Sequence, residues 1–314
     1  MAEPSRITVL AGGIGAARFL AGLQRVVPPA LITAICNVGD DLEWLGLKVC
    51  PDIDSVLYTL AGMEGTEGWG VRDDTHHALD ALRALGGESW FVIGDVDLAT
   101  HLFRTERLRQ GATLSDSTAA LARAHGIGMT VIPVTDDLHP TVVQTAEGDL
   151  AFQDYFVRRR AAVPITGVSF PGAATAMPAP GVVEAIRDCD LLCIAPSNPF
   201  VSISPLLALP RVAAAVRDSR GQRVAISPIV GGAAIKGPAA AMLDALGHEV
   251  SALGVARIYS GLIDLFVLDT VDATLVPAVQ ALGMDAVAVD TMMTGDEGRE
   301  RVARNILHAA GFAV

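Results

Sequence analysis

Short apolar runs alternate with amphipathic stretches along most of the 314-residue chain. Residues 7–10 form the first apolar run, residues 12–15 form a glycine turn, and residues 16–27 form an amphipathic stretch that Pro28 ends. A second apolar run at 31–36 follows, so the pattern predicts a strand, a helix and a strand. The alternation continues and predicts a mostly parallel sheet covered by helices on both faces. Further strands are predicted at 90–93, 129–134, 191–195, 223–227, 265–268 and 286–289, and helices at 78–85, 119–125, 239–246 and 274–282.

Two stretches interrupt this alternation. Residues 141–145 and 150–157 have the period-two pattern of a β-hairpin, which predicts an antiparallel excursion within a smaller inserted α/β region at 138–175. Residues 37–74 are rich in acids, glycine and tryptophan, and they predict loops around a helix near 55–62. Because no internal repeat or linker divides the chain, we expect one doubly wound α/β domain over its whole length, residues 1–314.

Charge and composition narrow the possible partners. The net charge of −12 argues against a general nucleic-acid or anionic-membrane surface, because both depend on attraction to lysine and arginine. The apolar runs are shorter than the roughly 20 residues needed to cross a bilayer. Residues 1–6 lack the pattern of a signal peptide, so we expect a cytoplasmic protein. The four cysteines lack the spacing of a zinc site and are predicted to be buried and reduced.

The glycine turn after the first strand is a candidate phosphate site. Gly12, Gly13 and Gly15 would let backbone amides approach a phosphate at the start of a helix. The turn departs from the dinucleotide fingerprint, because Arg18 stands at the third glycine position and the second strand ends in Asn37 rather than an acid. A nucleotide phosphate and a purely structural turn both fit this pattern, whereas NAD fits it poorly.

Carboxylates follow several of the predicted strands. If those strand ends meet at one edge of the sheet, the acids share one crevice with the glycine turn. A carboxylate repels phosphate, so this arrangement implies a divalent cation between them, most simply Mg²⁺, while one acid is available to take a proton from an attacking hydroxyl. Helix capping is the alternative, and it is the preferred interpretation for residues 73–74. The acids in question are Asp40, Asp41, Glu43, Asp52, Asp54, Asp95 and Asp97.

Six further residues are candidate ligand contacts. His101 lies on a predicted helix just beyond the last of these acids, although packed helix residues have the same pattern. Trp44 and Trp69 lie in glycine-rich loops, where a planar heterocycle could stack on either ring. Asn198 and the pair Gly231-Gly232 follow two later strands, where nucleotide contacts and ordinary turns are both common.

Together these segments resemble the CofD family of 2-phospho-L-lactate transferases, and its actinobacterial branch in particular. The resemblance spans almost the whole chain in the family's order and implies a Rossmann-like core, dependence on Mg²⁺ and a homodimer. The matching segments are residues 11–15 (AGGIG), 37–41 (NVGDD), 51–58 (PDIDSVLY), 94–101 (GDVDLATH), 116–118 (DST), 196–199 (PSNP) and 227–232 (SPIVGG).

The resemblance also implies a reaction. A phosphoenolpyruvyl or 2-phospholactyl group would move from a diphosphoguanosine donor to the ribityl alcohol of the deazaflavin Fo, with release of GMP, in coenzyme F420 biosynthesis. Asp54, Asp40 and Asp41 are then expected to be catalytic acids, and Asp52 with Asp54 to hold the metal from a loop. The expected donor and acceptor contacts are Gly12, Gly13, Gly15, Asn198, Gly231, Gly232, Trp44, Trp69, Asp95 and His101.

A non-enzymatic nucleotide-sugar-binding regulator of the YvcK-like type is the alternative on the same fold. Such proteins share the glycine turn but have a Gly-Gly-Ser-Ser-type stretch where this chain has residues 41–46, and they lack the segment at 51–55. The transfer reaction needs no covalent nucleophile, and the chain has neither a Gly-x-Ser-x-Gly elbow nor a reactive-cysteine signature. An NAD-dependent oxidoreductase ranks third.

Overall fold

The computed structural model describes residues 3–313, so residues 1, 2 and 314, including the start of the segment judged for a signal peptide, lie outside it. The strands are β1 (Ile7–Ala11), β2 (Ile32–Cys36), β3 (Leu42–Trp44), β4 (Leu47–Val49), β5 (Thr130–Pro133), β6 (Val142–Thr145), β7 (Gly148–Ala151), β8 (Ile165–Ser169), β9 (Leu191–Ile194), β10 (Gln222–Ile226), β11 (Ile229–Val230), β12 (Ala233–Ala234), β13 (Leu265–Asp269) and β14 (Asp285–Val289).

The α-helices connect and cover these strands. They are α1 (Gly13–Val26), α2 (Pro51–Leu60), α3 (His77–Ala84), α4 (Asp95–Arg109), α5 (Leu114–Ala124), α6 (Val182–Arg187), α7 (Ser204–Leu207), α8 (Pro210–Arg217), α9 (Ala239–Ala245), α10 (Ala252–Tyr259), α11 (Val276–Gln280) and α12 (Gly295–Ala309). Short 3₁₀ turns lie at Pro29–Leu31 and Thr270–Leu275, and single π turns at Asp154–Arg158 and Pro199–Ile203.

Seven strands form one parallel sheet in the order β14-β13-β10-β9-β1-β2-β5. The chain runs outward from β1 to β5 and then returns with β9 to the other side of β1. The strand order therefore reverses between β1 and β9, which is the Rossmann-like arrangement that the sequence predicts. In such sheets ligands bind beyond the carboxyl ends of the strands at this reversal.

The core lies on both faces of this sheet. All five residues of β1 and all four of β9 are buried, which explains why these strands read as unbroken apolar runs rather than as alternating ones. Helix α1 packs against α2 and α12 on one side. The ends of β1 and β9 are therefore held by packing on every side, and the loops that follow them start from fixed positions.

The prediction of a strand at 90–93 is wrong. Trp90, Phe91 and Ile93 are irregular in backbone, and they pack with Trp44 and neighbouring apolar side chains in a small separate core. The outer edge of β2 is taken by β5 instead. A short apolar run that is buried outside the sheet has the same pattern as a strand, so periodicity alone does not separate them.

The predicted hairpin is confirmed, with a shorter second strand. β6 and β7 pair antiparallel, and β8 adds to the other edge of β6, giving a three-stranded sheet in the order β7-β6-β8. The chain leaves β7 at Ala151, because Phe152 and Tyr155 turn inward to pack with Val143. The limits of the insert at 138–175 and the single-domain organisation stay predictions.

Helix α2 begins at Pro51, four residues before the helix predicted near 55–62. Proline is favoured in the first turn of a helix, where its missing amide hydrogen is not needed. The expectation that Asp52 and Asp54 lie in a loop is therefore wrong, because both lie in the first turn of α2 and are buried. A helix fixes the directions of their side chains more firmly than a loop would.

Among residues 3–313, no single helix is long and apolar enough to cross a membrane, although the segments Pro199–Leu207 and Pro210–Arg217, bent by 91°, meet that test as a pair. All four cysteines are free and buried, as predicted.

Candidate functional site

A cavity of about 940 Å³ lies beyond the carboxyl ends of the parallel strands. The segments that follow five strands form much of its wall, and they meet at the reversal between β1 and β9. Its size suits a small molecule rather than a macromolecule. The wall includes residues 12–15 after β1, Asp40 after β2, residues 196–198 after β9, residues 227–228 after β10 and residues 291–295 after β14.

The glycine turn forms the start of α1. A Cβ on Gly12 would lie 2.7 Å from the Ser202 side chain, and one on Gly15 would lie 2.1 Å from the carbonyl oxygen of Pro196. Larger residues therefore do not fit at these positions. No residue in the first turn of α1 is acidic, and a helix start of this kind favours an anion.

Asp52 braces this turn against the end of β2. Its Oδ1 accepts a hydrogen bond from the Gly13 amide at 2.8 Å, and its Oδ2 accepts one from Asn37 Nδ2 at 2.8 Å. Asn37 Oδ1 in turn accepts one from the Gly39 amide. Burial raises the pKa of Asp52 to about 6, although both hydrogen bonds lower it. Asp52 thus holds the glycine turn in place, and burial disfavours its ionised form.

Asp40 is the carboxylate with a free oxygen at the cavity. Its side chain is buried, it lines the cavity, and its Oδ1 has no hydrogen-bond partner among the described residues. Burial raises the pKa of Asp40 well above its ordinary value, and the nearby Asp52 charge raises it further. A cation would compensate both carboxylates. Their oxygen donors fit a hard cation such as Mg²⁺.

Asp41 faces away from this cavity, contrary to the prediction that it lies beside the phosphates. Its Oδ2 lies 2.9 Å from Lys48 Nζ and accepts a hydrogen bond from Cys50 Sγ at 3.1 Å. Burial raises its pKa even though Lys48 opposes the shift. Asp41 lines a second, smaller cavity of about 310 Å³.

A buried charge cluster joins α2 to α4. Arg104 is fully buried and binds both carboxylate oxygens of Asp54 through Nη1, at 3.1 Å, and Nη2. His101 Nδ1 lies 3.6 Å from Asp54 Oδ2, and His101 Nε2 lies 3.3 Å from Asp97 Oδ1. The Tyr58 hydroxyl donates to Asp97 at 2.7 Å. These contacts fix the Asp54 carboxylate at the cavity wall.

Asp54, Asp97 and His101 form a second candidate metal group, with one ligand atom of each within 4.8 Å of the others. Burial raises the pKa of Asp97, but the hydrogen bond and charge of His101 outweigh it, and the net pKa is lowered. Because the buried Arg104 guanidinium already balances the charge of Asp54 and His101 offers nitrogen, this group suits Mg²⁺ less well than the site at Asp40, whose Oδ1 has no partner among the described residues.

The two candidate tryptophans, Trp69 and Trp44, differ in exposure and in their position relative to the cavity. Trp69 is 43% exposed and lines the cavity, with its ring 6.0 Å from that of Phe156. Trp44 is 6% exposed, packs against Phe91 and does not line the cavity. The expectation that Trp44 could form a wall of the site is therefore wrong, because its small core buries it.

Three other predicted contacts also lie outside the cavity. Asp95 accepts hydrogen bonds from two amides in the first turn of α3, so it is a capping residue. Asp74 caps α4 instead, so the prediction that residues 73–74 cap the helix directly after them is wrong. Gly231 and Gly232 form the turn between β11 and β12, and residues 235–239 line the cavity in their place.

Asn198 lies at the cavity wall, and its side chain already makes two contacts within the chain. Its Oδ1 accepts a hydrogen bond from the Phe200 amide, and its Nδ2 lies 3.3 Å from Met242 Sδ. His101 also lines the cavity.

Sequence reasoning missed Arg104 altogether. Its signal was the spacing of Asp97, His101 and Arg104, which places all three on one face of α4. It also missed Arg18 and Arg299 as cavity residues, since they come together only in the folded chain.

The family model described as 2-phospho-L-lactate transferase CofD matches residues 7–307. The chain is 46% identical over 312 residues to the phosphoenolpyruvate transferase of Streptomyces coelicolor, covering 97% of this chain and 98% of that protein. It is 35% identical over 302 residues to the 2-phospho-L-lactate transferase of Methanosarcina mazei, covering 96% and 99%. A solved UPF0052-family protein from Bacillus halodurans has the same fold, with a TM-score of 0.63 at 18% identity over 98% of this chain and 99% of that one.

Proposed function

The chain belongs to the CofD family of 2-phospho-L-lactate transferases, and we propose that it is a transferase of coenzyme F420 biosynthesis. The group transferred is a phosphoenolpyruvyl or 2-phospholactyl group, the donor is its diphosphoguanosine derivative, and the acceptor is the ribityl hydroxyl of Fo. GMP is the second product. A non-enzymatic regulator is not favoured, because the similar proteins that cover almost the whole chain are named transferases.

One observation carries this proposal furthest. The cavity combines the amino end of α1, whose own first turn has no acidic residue, with a buried carboxylate whose oxygen has no partner among the described residues. A regulator that only binds a nucleotide has no need of an uncompensated carboxylate beside the phosphates. A phosphoryl-transfer enzyme uses such a group to hold a cation.

Different residues would bind the donor and contact the acceptor. The amino end of α1 binds the diphosphate, and the segments around Asn198 and residues 235–239 lie where the guanosine extends. Asp40 and Asp52 would hold Mg²⁺, which when bound neutralises charge on the bridging and leaving oxygens. Asp54, fixed by Arg104, contacts the acceptor hydroxyl and accepts its proton. The hydroxyl oxygen bonds to the phosphorus that carries the three-carbon acid, and the bond from that phosphorus to the GMP oxygen breaks.

The resemblance also supports a cytoplasmic homodimer with small-molecule substrates and no nucleic-acid or membrane partner.

The assay that tests the function uses purified protein, Fo, Mg²⁺ and each diphosphoguanosine donor, with products identified by mass spectrometry. We expect GMP and a phosphodiester of Fo to form in equal amounts with at least one donor, and a chelator to stop the reaction. Absence of any Fo product with both donors would falsify the proposed activity.

Trp69→Ala should weaken Fo binding about tenfold or more, because stacking on an aromatic side chain contributes on the order of 1–3 kcal/mol. Donor affinity should change little. The measurement is a fluorescence titration of Fo, with donor binding measured separately.

Trp44→Ala is the matched control for this change. It should cost about 3–5 kcal/mol of unfolding free energy, as for other buried tryptophans, yet leave the Fo affinity of the folded protein unchanged. If the Trp69 variant binds Fo like the parent, the ring lies elsewhere in the cavity.

A further inference from the structure

Cationic side chains line one part of the large cavity, although acids outnumber bases in the chain, 35 to 23. Arg18 on α1, Arg299 on α12 and Lys236 all contribute to its wall. Lys236 is already engaged, because its Nζ donates a hydrogen bond to the carbonyl oxygen of Glu67 at 2.6 Å. The two arginines come from helices that pack against each other, so the sheet and its covering helices set their positions.

One carboxylate serves both arginines. Arg18 Nε donates to Glu64 Oε1 at 2.7 Å, and Arg299 Nη2 donates to Glu64 Oε2 at 2.5 Å. The side chains are largely enclosed, with 22% of Arg18, 16% of Arg299 and 9% of Glu64 exposed. Asp296 lies 3.9 Å from Arg299 Nη1 but is 61% exposed, so solvent screens it. Two guanidinium charges therefore share one well-placed counter-charge.

Arg18 keeps its outer donors free. Among residues 3–313, neither of its Nη atoms has a hydrogen-bond partner, while its Nε is held by Glu64. Arg299 Nε is buried and also lacks a partner within the described chain. Glu64 thus orients the guanidinium of Arg18 and leaves its paired donors for a ligand at the cavity. Paired donors on a planar fork match a carboxylate in geometry as well as charge.

The position of Arg18 relative to the glycine turn suggests which ligand group it meets. Arg18 is five residues beyond Gly13 on α1, about 7.5 Å along the helix axis. A diphosphate at the start of α1 would carry its substituent into this space. The amino end of α1 and a cation at Asp40 and Asp52 would meet the charges of the diphosphate. The carboxylate of the three-carbon acid is then the one anionic group of the donor without a counter-charge.

We infer that Arg18, oriented by Glu64 and supported by Arg299, binds the carboxylate of the three-carbon acid on the donor. This inference rests on the proposed function and deepens it, because it names the residue that separates the true donor from plain GDP. GDP has the same guanosine and diphosphate but no carboxylate. Arg18 is therefore a specificity-determining residue for the donated group.

The test compares binding of the diphosphoguanosine donor with binding of GDP by calorimetry, in the presence of Mg²⁺. Arg18→Gln should weaken donor binding about 10- to 100-fold, the range expected for loss of a charge-assisted pair of hydrogen bonds. GDP binding should change by less than about twofold on the same reasoning. Arg18→Lys, which keeps the charge but loses the fork, should fall between the parent and Arg18→Gln.

Arg25→Gln is the matched control, because Arg25 lies on the same helix and pairs with Asp296 at the surface. It should bind both ligands like the parent. Equal weakening of GDP and donor by Arg18→Gln would assign Arg18 to a phosphate and overturn the inference. Unchanged binding of both ligands in Arg18→Gln and Arg18→Lys would reduce Arg18 to a structural partner of Glu64 and also overturn it. A parent protein that binds the donor but forms no Fo product would instead count against the proposed function, so the two failures differ.

Discussion

Asp54→Asn is expected to lower the free energy of unfolding by about 3–5 kcal/mol, the usual cost of breaking a buried ion pair from one side. Arg104 is fully buried and holds both oxygens of Asp54, so the variant leaves its charge without a full counter-charge. Turnover should fall as well, by about 100-fold or more, if Asp54 contacts the acceptor hydroxyl. Urea unfolding and a steady-state transferase assay measure the two effects separately.

Arg104→Gln and the double variant Asp54→Asn/Arg104→Gln complete the design. Replacing both partners by neutral groups removes the lone buried charge, so the double variant should recover part of the stability that each single variant loses. Its turnover should stay low, because the carboxylate is still absent. If the double variant recovers turnover along with stability, Asp54 acts only as a partner for Arg104. A stable Asp54→Asn variant would show that the pair contributes little to folding.

Local pattern was enough for the parts of the fold that depend on nearby residues. The β1-α1-β2 opening and the glycine turn follow from a short apolar run, small residues and an amphipathic stretch in sequence order. The contact between Asp97 and His101 follows from helical spacing alone, since residues four apart share a face. The same reasoning places the carboxyl ends of β1 and β9 at the site once the parallel sheet is accepted.

The rest depends on which distant segments meet. Trp44 and Trp69 occupy similar glycine-rich contexts, and only the small core around Trp44 decides that one is buried and the other exposed. Arg18 and Glu64 are 46 residues apart, and no local pattern pairs them. The direction of a carboxylate is also invisible in sequence: adjacent acids Asp40 and Asp41 face different cavities. Fold class was therefore predictable, whereas the membership of the site was predictable only in part.

Asp40→Asn should make the metal-free protein more stable while removing most of its activity. The Asp40 carboxylate is buried, has an unpartnered oxygen and lies near Asp52, so its charge opposes folding. A neutral side chain of the same shape avoids burying that charge beside Asp52. Turnover should fall by about 100-fold or more, because the site loses a ligand for its cation.

The stability gain should depend on pH with a definite sign. The pKa of Asp40 is raised in the folded protein, so the folded state keeps its proton to higher pH than the unfolded chain does. Parent stability is therefore lost as pH rises through the raised pKa. The advantage of Asp40→Asn should be small near pH 4, close to the ordinary aspartate pKa of about 3.9, and larger at pH 8. Urea unfolding of both proteins in a chelator at several pH values measures this difference.

The stabilising effect of Mg²⁺ on each variant is a second test of the same prediction, and Asp41→Asn is its control. Saturating Mg²⁺ should stabilise the parent, by about 2.7 kcal/mol at 100 times its dissociation constant, and should stabilise Asp40→Asn much less. Asp41 pairs with Lys48 and faces the smaller cavity, so Asp41→Asn should keep the response to Mg²⁺. If Asp40→Asn responds to Mg²⁺ as the parent does, the cation is held elsewhere, and the group of Asp54, Asp97 and His101 becomes the better candidate.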